Sequence, residues 1–417
     1  MTRSTGKTFD YIVIGAGCFG AWTAHALRRG GHSVQLLDAW GAAHSRASSG
    51  GESRVIRMGY GADELYSRWS QRSLPEWKAL AERAQRPLFH EAGMLWLVGA
   101  GGSYVEETQR TLARVGVAHE RLSVSELARR FPQVSTEGLD WALWEPGSGV
   151  LMARQSIQAL VAEDVRGGLA YRTAGIVPIE SASMGSASIE TASTNPASTE
   201  SASVESVAIM TNVRNRTLDR IVTGEGEAIS GSTFVFACGA WLPKIFPALL
   251  GARIFPTRQE IFFFAPPPGD TSFAAMPAWF HHPALVYGIP DLEHRGFKIS
   301  VDKHGPAIDP DTEDRVPSAE GLAIARAYLA QRFPKLANAP LAESRLCQYE
   351  NTSNGDFIID RHPEIDNVLI VGGGSGHGFK HGPSVGDYAA RLATSGVADE
   401  PRFAIAGKGM RQQRGVY

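Results

Sequence analysis

The stretch from Asp10 to Asp38 leaves few folds open to this chain. It begins with Tyr11-Ile12-Val13-Ile14, a short apolar run rich in β-branched residues and stopped at once by glycine, the pattern of a buried parallel strand. Gly15 permits a tight turn, Gly17 lets the backbone approach a pyrophosphate, and Gly20 allows a helix to pack closely on the strand, with phosphate at the helix N-terminus. A helix is predicted from about Cys18 to Arg28, ended by Gly30-Gly31, and Val34 to Leu37 is predicted as a second strand that ends in Asp38. Asp38 lies 18 residues beyond Gly20, where a carboxylate would hydrogen-bond an adenosine ribose. A glycine-rich turn by itself is weak evidence. The full order of strand, turn, helix, strand and acid predicts a dinucleotide site.

Composition narrows what such a site serves. The 417 residues are enough for two or three domains with a large core, so the chain is long enough for an enzyme. A net charge of −2 leaves no basic excess to neutralise phosphates, which argues against nucleic acid and for a small-molecule partner. Cys18, Cys238 and Cys347 are scattered, odd in number and without metal-ligand spacing, so no metal site is expected and a reducing compartment such as the cytoplasm is. No signal-peptide pattern and no long apolar run occur, so neither export nor a membrane span is expected. The final Arg414-Gly415-Val416-Tyr417 does not read as a peroxisomal address.

After Asp38, a loop of small residues from Ser45 to Ser53, containing Ser48 and Ser49, delivers Arg54 and Arg57. Such a loop can lie against a flat ring. If the two arginines open a helix, they share a face and can meet an anion together. The competing reading is two solvated or ion-paired arginines, which is the commoner fate of that residue. A helix is predicted from Glu64 to about Glu82, with Leu65, Trp69, Leu74, Trp77 and Leu80 as core. Further predictions are β-like structure at 88–98, a short helix at 122–131, a strand at 141–144, a turn at 145–149 and a helix at 156–165. Residues 181–206 are a quasi-repeat of Ser, Ala, Thr and Glu that cannot bury enough surface to offset its ordering entropy, and we read them as a surface insertion without chemistry. A second buried strand is predicted at 233–237, ending in Cys238, a small core residue in this reading. Strands at 260–265, 285–289 and 296–301 and a helix at 319–333 predict an antiparallel sheet in a second, substrate-holding domain.

The C-terminal third is more specific. Cys347-Gln348-Tyr349 precedes a strand at 356–360 and another at 368–371. Gly372-Gly373-Gly374-Ser375-Gly376-His377-Gly378-Phe379-Lys380 follows, opening a helix predicted from about Pro383 to Leu392. Five glycines in seven residues at a strand end bring the backbone close to something flat and aim amides at an electron-rich edge.

Gly15-x-Gly17-x-x-Gly20, the arginine loop, Cys347 and His377-Gly378-Phe379-Lys380 together resemble the D-amino-acid-oxidase superfamily of FAD-dependent oxidoreductases, and within it the sarcosine oxidase and N-methyltryptophan oxidase branch. The likeness runs from about residue 8 to 405, interrupted near 181–223. It implies an α/β fold, with a Rossmann-like FAD-binding domain of the glutathione-reductase type and a second antiparallel-sheet substrate domain. The corresponding division is 1–87, 146–250 and 336–417 for the FAD-binding domain and 88–145 and 251–335 for the substrate domain. The resemblance makes Cys347 the thioether attachment point of FAD, 33 residues before Lys380. Gly15, Gly17, Gly20, Asp38, Ser48, Ser49, Arg54, Gly374, Gly376, His377, Gly378 and Lys380 would join it in holding the cofactor. Arg57 and Lys380 would bind a substrate carboxylate, Arg54 would lie near the flavin ring, Lys298 would promote reaction with oxygen, and Tyr287 and Tyr349 would line the pocket.

The departures bear on the substrate. Ser49-Gly50 stand where the family often has two histidines, and Asp302 stands where it has a histidine four residues past the oxygen-activating lysine, with His304 nearby but out of register. Phe280 replaces a methionine, so an N-substituent of different shape or greater bulk is expected to be accepted. The implied function is oxidation of an N-methyl or cyclic secondary amino acid by a monomeric FAD oxidase, giving an imine and hydrogen peroxide. Two rivals stay open: a dehydrogenase passing electrons to a partner, and a protein with a structural flavin. An NAD-dependent dehydrogenase would leave Cys347 and the 372–380 loop without purpose.

Overall fold

The computed structural model describes residues 8–179 and 213–413; the insertion read at 181–206 and the C-terminal residues 414–417 lie outside the described residues. The strand Phe9–Ile14 runs up the middle of a parallel sheet, and all four residues from Tyr11 onward are buried. Among the described residues the sheet has seven strands. Its path runs Ile358–Arg361, Val368–Gly372, Ala228–Phe236, Phe9–Ile14, Val34–Asp38, Ala170–Thr173, with Arg220–Val222 added beside Ala228–Phe236. The central pairings are parallel and the edge strand Ile358–Arg361 is antiparallel. Helices Cys18–Arg29, Glu64–Ala84, Ala153–Arg166 and Gly382–Ser395 bury Trp22, Trp69, Trp77, Leu160 and Leu392 in one core with the sheet.

A second sheet has eight strands among the described residues, in the order Leu341–Thr352, Ile254–Phe264, Phe297–Val301, Val286–Ile289, Ala278–His281, Met94–Val98, Trp141–Glu145, Glu120–Ser123. Its pairings are antiparallel except that of Ala278–His281 with Met94–Val98. One face packs Phe262, Phe264, Trp279, Phe297 and Ile299 under Leu329 and Phe333, so the helix Ala319–Arg332 shields it. Lys298 and Ser300 alternate onto the opposite face.

Several sequence expectations shift. Leu341–Thr352 begins the stretch expected to return to the cofactor domain, yet it pairs along nearly its whole length with Ile254–Phe264 in the eight-stranded sheet. Residues 122–131 are a strand end followed by the helix Val124–Arg130, because Ser123 forms a capping box with Glu126 and starts the helix there. Arg54 does not open a helix. It starts the strand Arg54–Ile56, which pairs with Gly149–Leu151, and Arg57 follows it. Helix Ser103–Arg114 and strand Ala278–His281 are not among the elements expected from the sequence. Among the described residues no helix is long and apolar enough to cross a membrane, and no cluster of His, Cys, Asp or Glu could hold a metal.

Candidate active site

A cavity of about 440 Å³ lies over the ends of the parallel strands, with Ile14, Gly15, Asp38 and Ala237 in its wall. This is where an open α/β sheet binds its ligand. Gly15 sits at φ +104°, and a Cβ there would come 2.3 Å from the Ala237 carbonyl oxygen, so the turn admits only glycine. A Cβ on Gly20 would lie 1.8 Å from the Gly15 oxygen, which is the close helix–strand contact expected. Gly17 is different. A Cβ there would meet nothing nearer than Ser49 Oγ at 3.5 Å, so no protein neighbour demands glycine, and the space is left for a ligand at the helix start.

The acid and serines have local partners as well. Asp38 Oδ2 accepts from the Ala16 amide at 2.8 Å, and Oδ1 accepts from the Trp40 and Gly41 amides at 2.9 Å, so this carboxylate builds the turn besides lining the cavity. Ser49 Oγ accepts from the Cys18 amide at 2.9 Å, and the Ser48 carbonyl accepts from Arg54 Nη2 at 2.6 Å. Glu350, which no motif in the sequence marks as a site residue, lines the same cavity. Gly374 N donates to its Oε1 at 3.2 Å, while Oε2 is buried without a partner among the described residues. Burial pushes its carboxyl up to about 7 against the lowering effect of that amide. An orphaned carboxyl oxygen and the open space above Gly17 both fit a bound dinucleotide rich in hydroxyls and phosphate oxygens.

A smaller cavity of about 80 Å³ adjoins the first and shares Arg54, Cys347, Tyr349, Gly376 and Phe379 with it. Strand alternation explains its floor. Cys347 and Tyr349 are two apart on one strand, Cys347 is opposite Gln259, Ile261 is opposite Ser300, and Ser300 is opposite Tyr287, which faces Phe280. Those partners share one face of the eight-stranded sheet, as do Lys298 and Asp302 at two residues either side of Ser300. Gly376 stands at φ +78°, and a Cβ there would press 2.7 Å from the Tyr349 ring, so the 372–380 loop lies directly on this floor.

Arg57 and Lys380 enter this cavity from the other side. The Arg57 guanidinium donates to the Gly59 carbonyl and lies 4.6 Å from the Tyr60 ring centre and 4.7 Å from that of Trp96. Lys380 Nζ donates to Tyr60 Oη at 2.7 Å and to the His377 carbonyl at 3.0 Å. Both cations thus bear on one tyrosine. Burial and the neighbouring Arg57 hold the Lys380 pKa well below the ordinary lysine value. His377 Nε2 bonds to the Gly355 carbonyl at 3.0 Å and its ring stacks on Phe357. The expectation of solvated or ion-paired arginines fails here, because Arg54 and Arg57 point inward; Arg54 donates to the Ser53 and Ser48 carbonyls and to Cys347 Sγ at 3.3 Å.

Lys298 shares that sheet face and is buried. It lines neither cavity; its Nζ donates to the Ser53 carbonyl at 2.9 Å, and burial, then Arg54, lower its pKa strongly. Glu52 pins this segment by pairing with Arg345 at 2.6 Å, Arg154 at 3.2 Å and Arg295 at 3.5 Å. His304 pairs with Gln412 and is absent from the wall of the smaller cavity, whereas Asp302 is in it. Cys238, whose thiol is pushed up by burial and by Asp38 and Glu350, lines the larger cavity. Tyr60, Trp96 and Glu350 went unread in the sequence because nothing local marks them. Asp302 was visible there only as a departure.

Residues 10–392 match the model of a family described as FAD dependent oxidoreductase. The chain is 31% identical to a monomeric sarcosine oxidase of Bacillus sp. (strain NS-129) over 94% of each chain. It is 25% identical to an N-methyl-L-tryptophan oxidase of Yersinia pestis (strain Pestoides F), covering 92% of this chain and 95% of the relative. In fold it is similar to the crystal structure of L-proline dehydrogenase from P. horikoshii, with a TM-score of 0.78, 20% identity and coverage of 96% and 97%.

Proposed function

The chain belongs to the family of FAD-dependent oxidoreductases, and from that premise we propose that it oxidises the C–N bond of a small secondary amino acid, N-methyl or cyclic, with oxygen as electron acceptor and hydrogen peroxide as product. The observation that carries this reading is the pair of cations, Arg57 and Lys380, in a small cavity whose wall is shared with the cofactor cavity.

Bound FAD supplies a two-electron acceptor. In this proposal Gly15, Gly17, Gly20, Asp38, Ser48 and Ser49 would hold its adenosine and pyrophosphate end, Gly374, Gly376, His377 and Gly378 would hold its ring, and Cys347 would be its covalent attachment point. Arg57 grips the substrate carboxylate with a fork and Lys380 as a point charge, while Tyr287 and Tyr349 close the pocket on the sheet side. Arg54 packs at the junction of the two cavities, and Lys298, held by the Ser53 carbonyl, would promote the reaction with oxygen. A monomer working in the cytoplasm completes the proposal.

An oxygen-electrode screen of sarcosine, other N-methyl amino acids, pipecolate and proline tests the reaction. One peroxide should form for each substrate consumed; substrate loss without peroxide would assign the electrons to a partner, and an unbleached flavin under all substrates would make it structural. The carboxylate role has its own measure. Each charge-assisted contact is worth about 1.5–3 kcal/mol, so Arg57→Ala and Lys380→Ala should each weaken methylthioacetate binding by roughly 10- to 150-fold, read from the flavin spectral shift with FAD still attached. Unchanged binding in both variants would remove amino acids from the substrate class.

A further inference from the structure

We propose that Asp302 is the group that receives the substrate's ammonium and takes its proton, so that the amine enters oxidation neutral; this rests on the reading of the substrate as a secondary amino acid. Three observations on the residue itself lead there. Asp302 follows the strand Phe297–Val301 by one position and keeps the facing of Lys298 and Ser300. Its carboxyl lines the smaller cavity. Tyr349 Oη donates to Oδ1 at 2.7 Å, which fixes the carboxyl and leaves Oδ2 without a hydrogen-bond partner among the described residues.

The groups facing it come from four directions: Tyr349 from Leu341–Thr352, Tyr287 from Val286–Ile289, Arg57 after Arg54–Ile56, and Lys380 from the 372–380 loop. Arg57 and Lys380 supply the charge for a carboxylate, and Asp302 is the single acid in the wall of this cavity among the described residues. An amino acid carries its two charges on neighbouring atoms, and the cavity presents the complementary pair. Burial raises the Asp302 carboxyl to about 7, against the lowering effects of the Tyr349 hydrogen bond, Arg57 and Lys380. Tyr349 is itself pushed far up by burial and by Asp302, so it stays a donor.

The step is a proton transfer without redox change. The N–H bond of the secondary ammonium breaks, an O–H bond forms at Oδ2, and the lone pair returns to nitrogen, from which a two-electron oxidation can proceed. A free aliphatic amine has an ordinary pKa near 10, so at neutral pH the ammonium dominates by about a thousandfold and a base in the pocket has work to do. The carboxyl must be ionised to accept the proton. Below about pH 7 it is neutral and the reaction should fall.

Anaerobic reduction of the holoenzyme's flavin by sarcosine, followed by stopped flow from about pH 6 to about pH 10, separates the outcomes. The parent should show a rising limb centred near 7, where Asp302 ionises. Asp302→Asn, close in shape and still able to accept from Tyr349, should lose that limb. Its reduction constant over substrate Kd should instead climb about tenfold per pH unit toward the amine's own pKa. Asp302→Glu should restore a limb. Methylthioacetate, which has a carboxylate and no amine, should bind Asp302→Asn as tightly as the parent or tighter, which shows an intact pocket. A parent-like profile in Asp302→Asn overturns the inference, as does a loss confined to substrates with a basic tail, which would assign the acid to that tail. If sarcosine and its relatives never reduce the parent's flavin, the proposed function falls first and this inference with it.

Discussion

Lys298→Met is expected to slow reoxidation of the reduced enzyme by oxygen on the order of 100- to 1,000-fold while slowing anaerobic reduction much less. The physical basis is charge that develops on oxygen as it accepts an electron. A cation already in place and shielded from water stabilises that charge without reorganising at the moment of reaction. Lys298 is 1% exposed, anchored by its bond to the Ser53 carbonyl, and has the rings of Tyr287 and Phe263 at 5.8 and 6.0 Å. No carboxylate forms an ion pair with it among the described residues, so its charge is not already spent. Because burial and Arg54 lower its pKa, it gives up its proton at lower pH than an ordinary lysine, and the oxygen step should weaken as pH rises through that lowered value. Methionine fills the space without the charge. Stopped-flow measurement of the two half-reactions separates them, and equal slowing of both would assign Lys298 to the sheet rather than to oxygen.

Cys347→Ser is expected to abolish covalent retention of the flavin. Cys347 belongs to the wall of both cavities, the position a tether between ring and pocket requires. Arg54 donates to its sulfur at 3.3 Å. The other two thiols lack this setting: Cys18 is buried and shifted strongly upward by desolvation, and Cys238 sits at the strand end by Ile14. Acid precipitation should leave the parent's pellet yellow and send the variant's flavin into the supernatant. Yellow in both pellets would place the bond elsewhere, and colourless pellets in both would mean that FAD is held without one.

The cofactor side of this protein could be read from residues in succession. A β-branched run closed by Gly15 and Gly20 can hardly be anything but a strand, tight turn and packed helix, because the constraint is backbone geometry, which acts between neighbours. Gly372 to Lys380 is legible for the same reason, and Gly376 brings that loop against the Tyr349 ring. The alternation along Phe297–Val301 likewise indicated which side chains share a face. What that face covers was not written there. Arg54 and Arg57 carry ordinary arginine statistics until the fold turns them inward, and their partners are as distant in sequence as Cys347. Asp302 looked like a substitution in a motif, and its weight comes from Tyr349, Arg57 and Lys380, brought to it from three other elements. Leu341–Thr352 could have joined either sheet by its own pattern; pairing with Ile254–Phe264 decided it. Local sequence determines conformation through sterics and periodicity. The value of a charge depends on what surrounds it and on how much water is excluded, and that is settled only when distant segments meet.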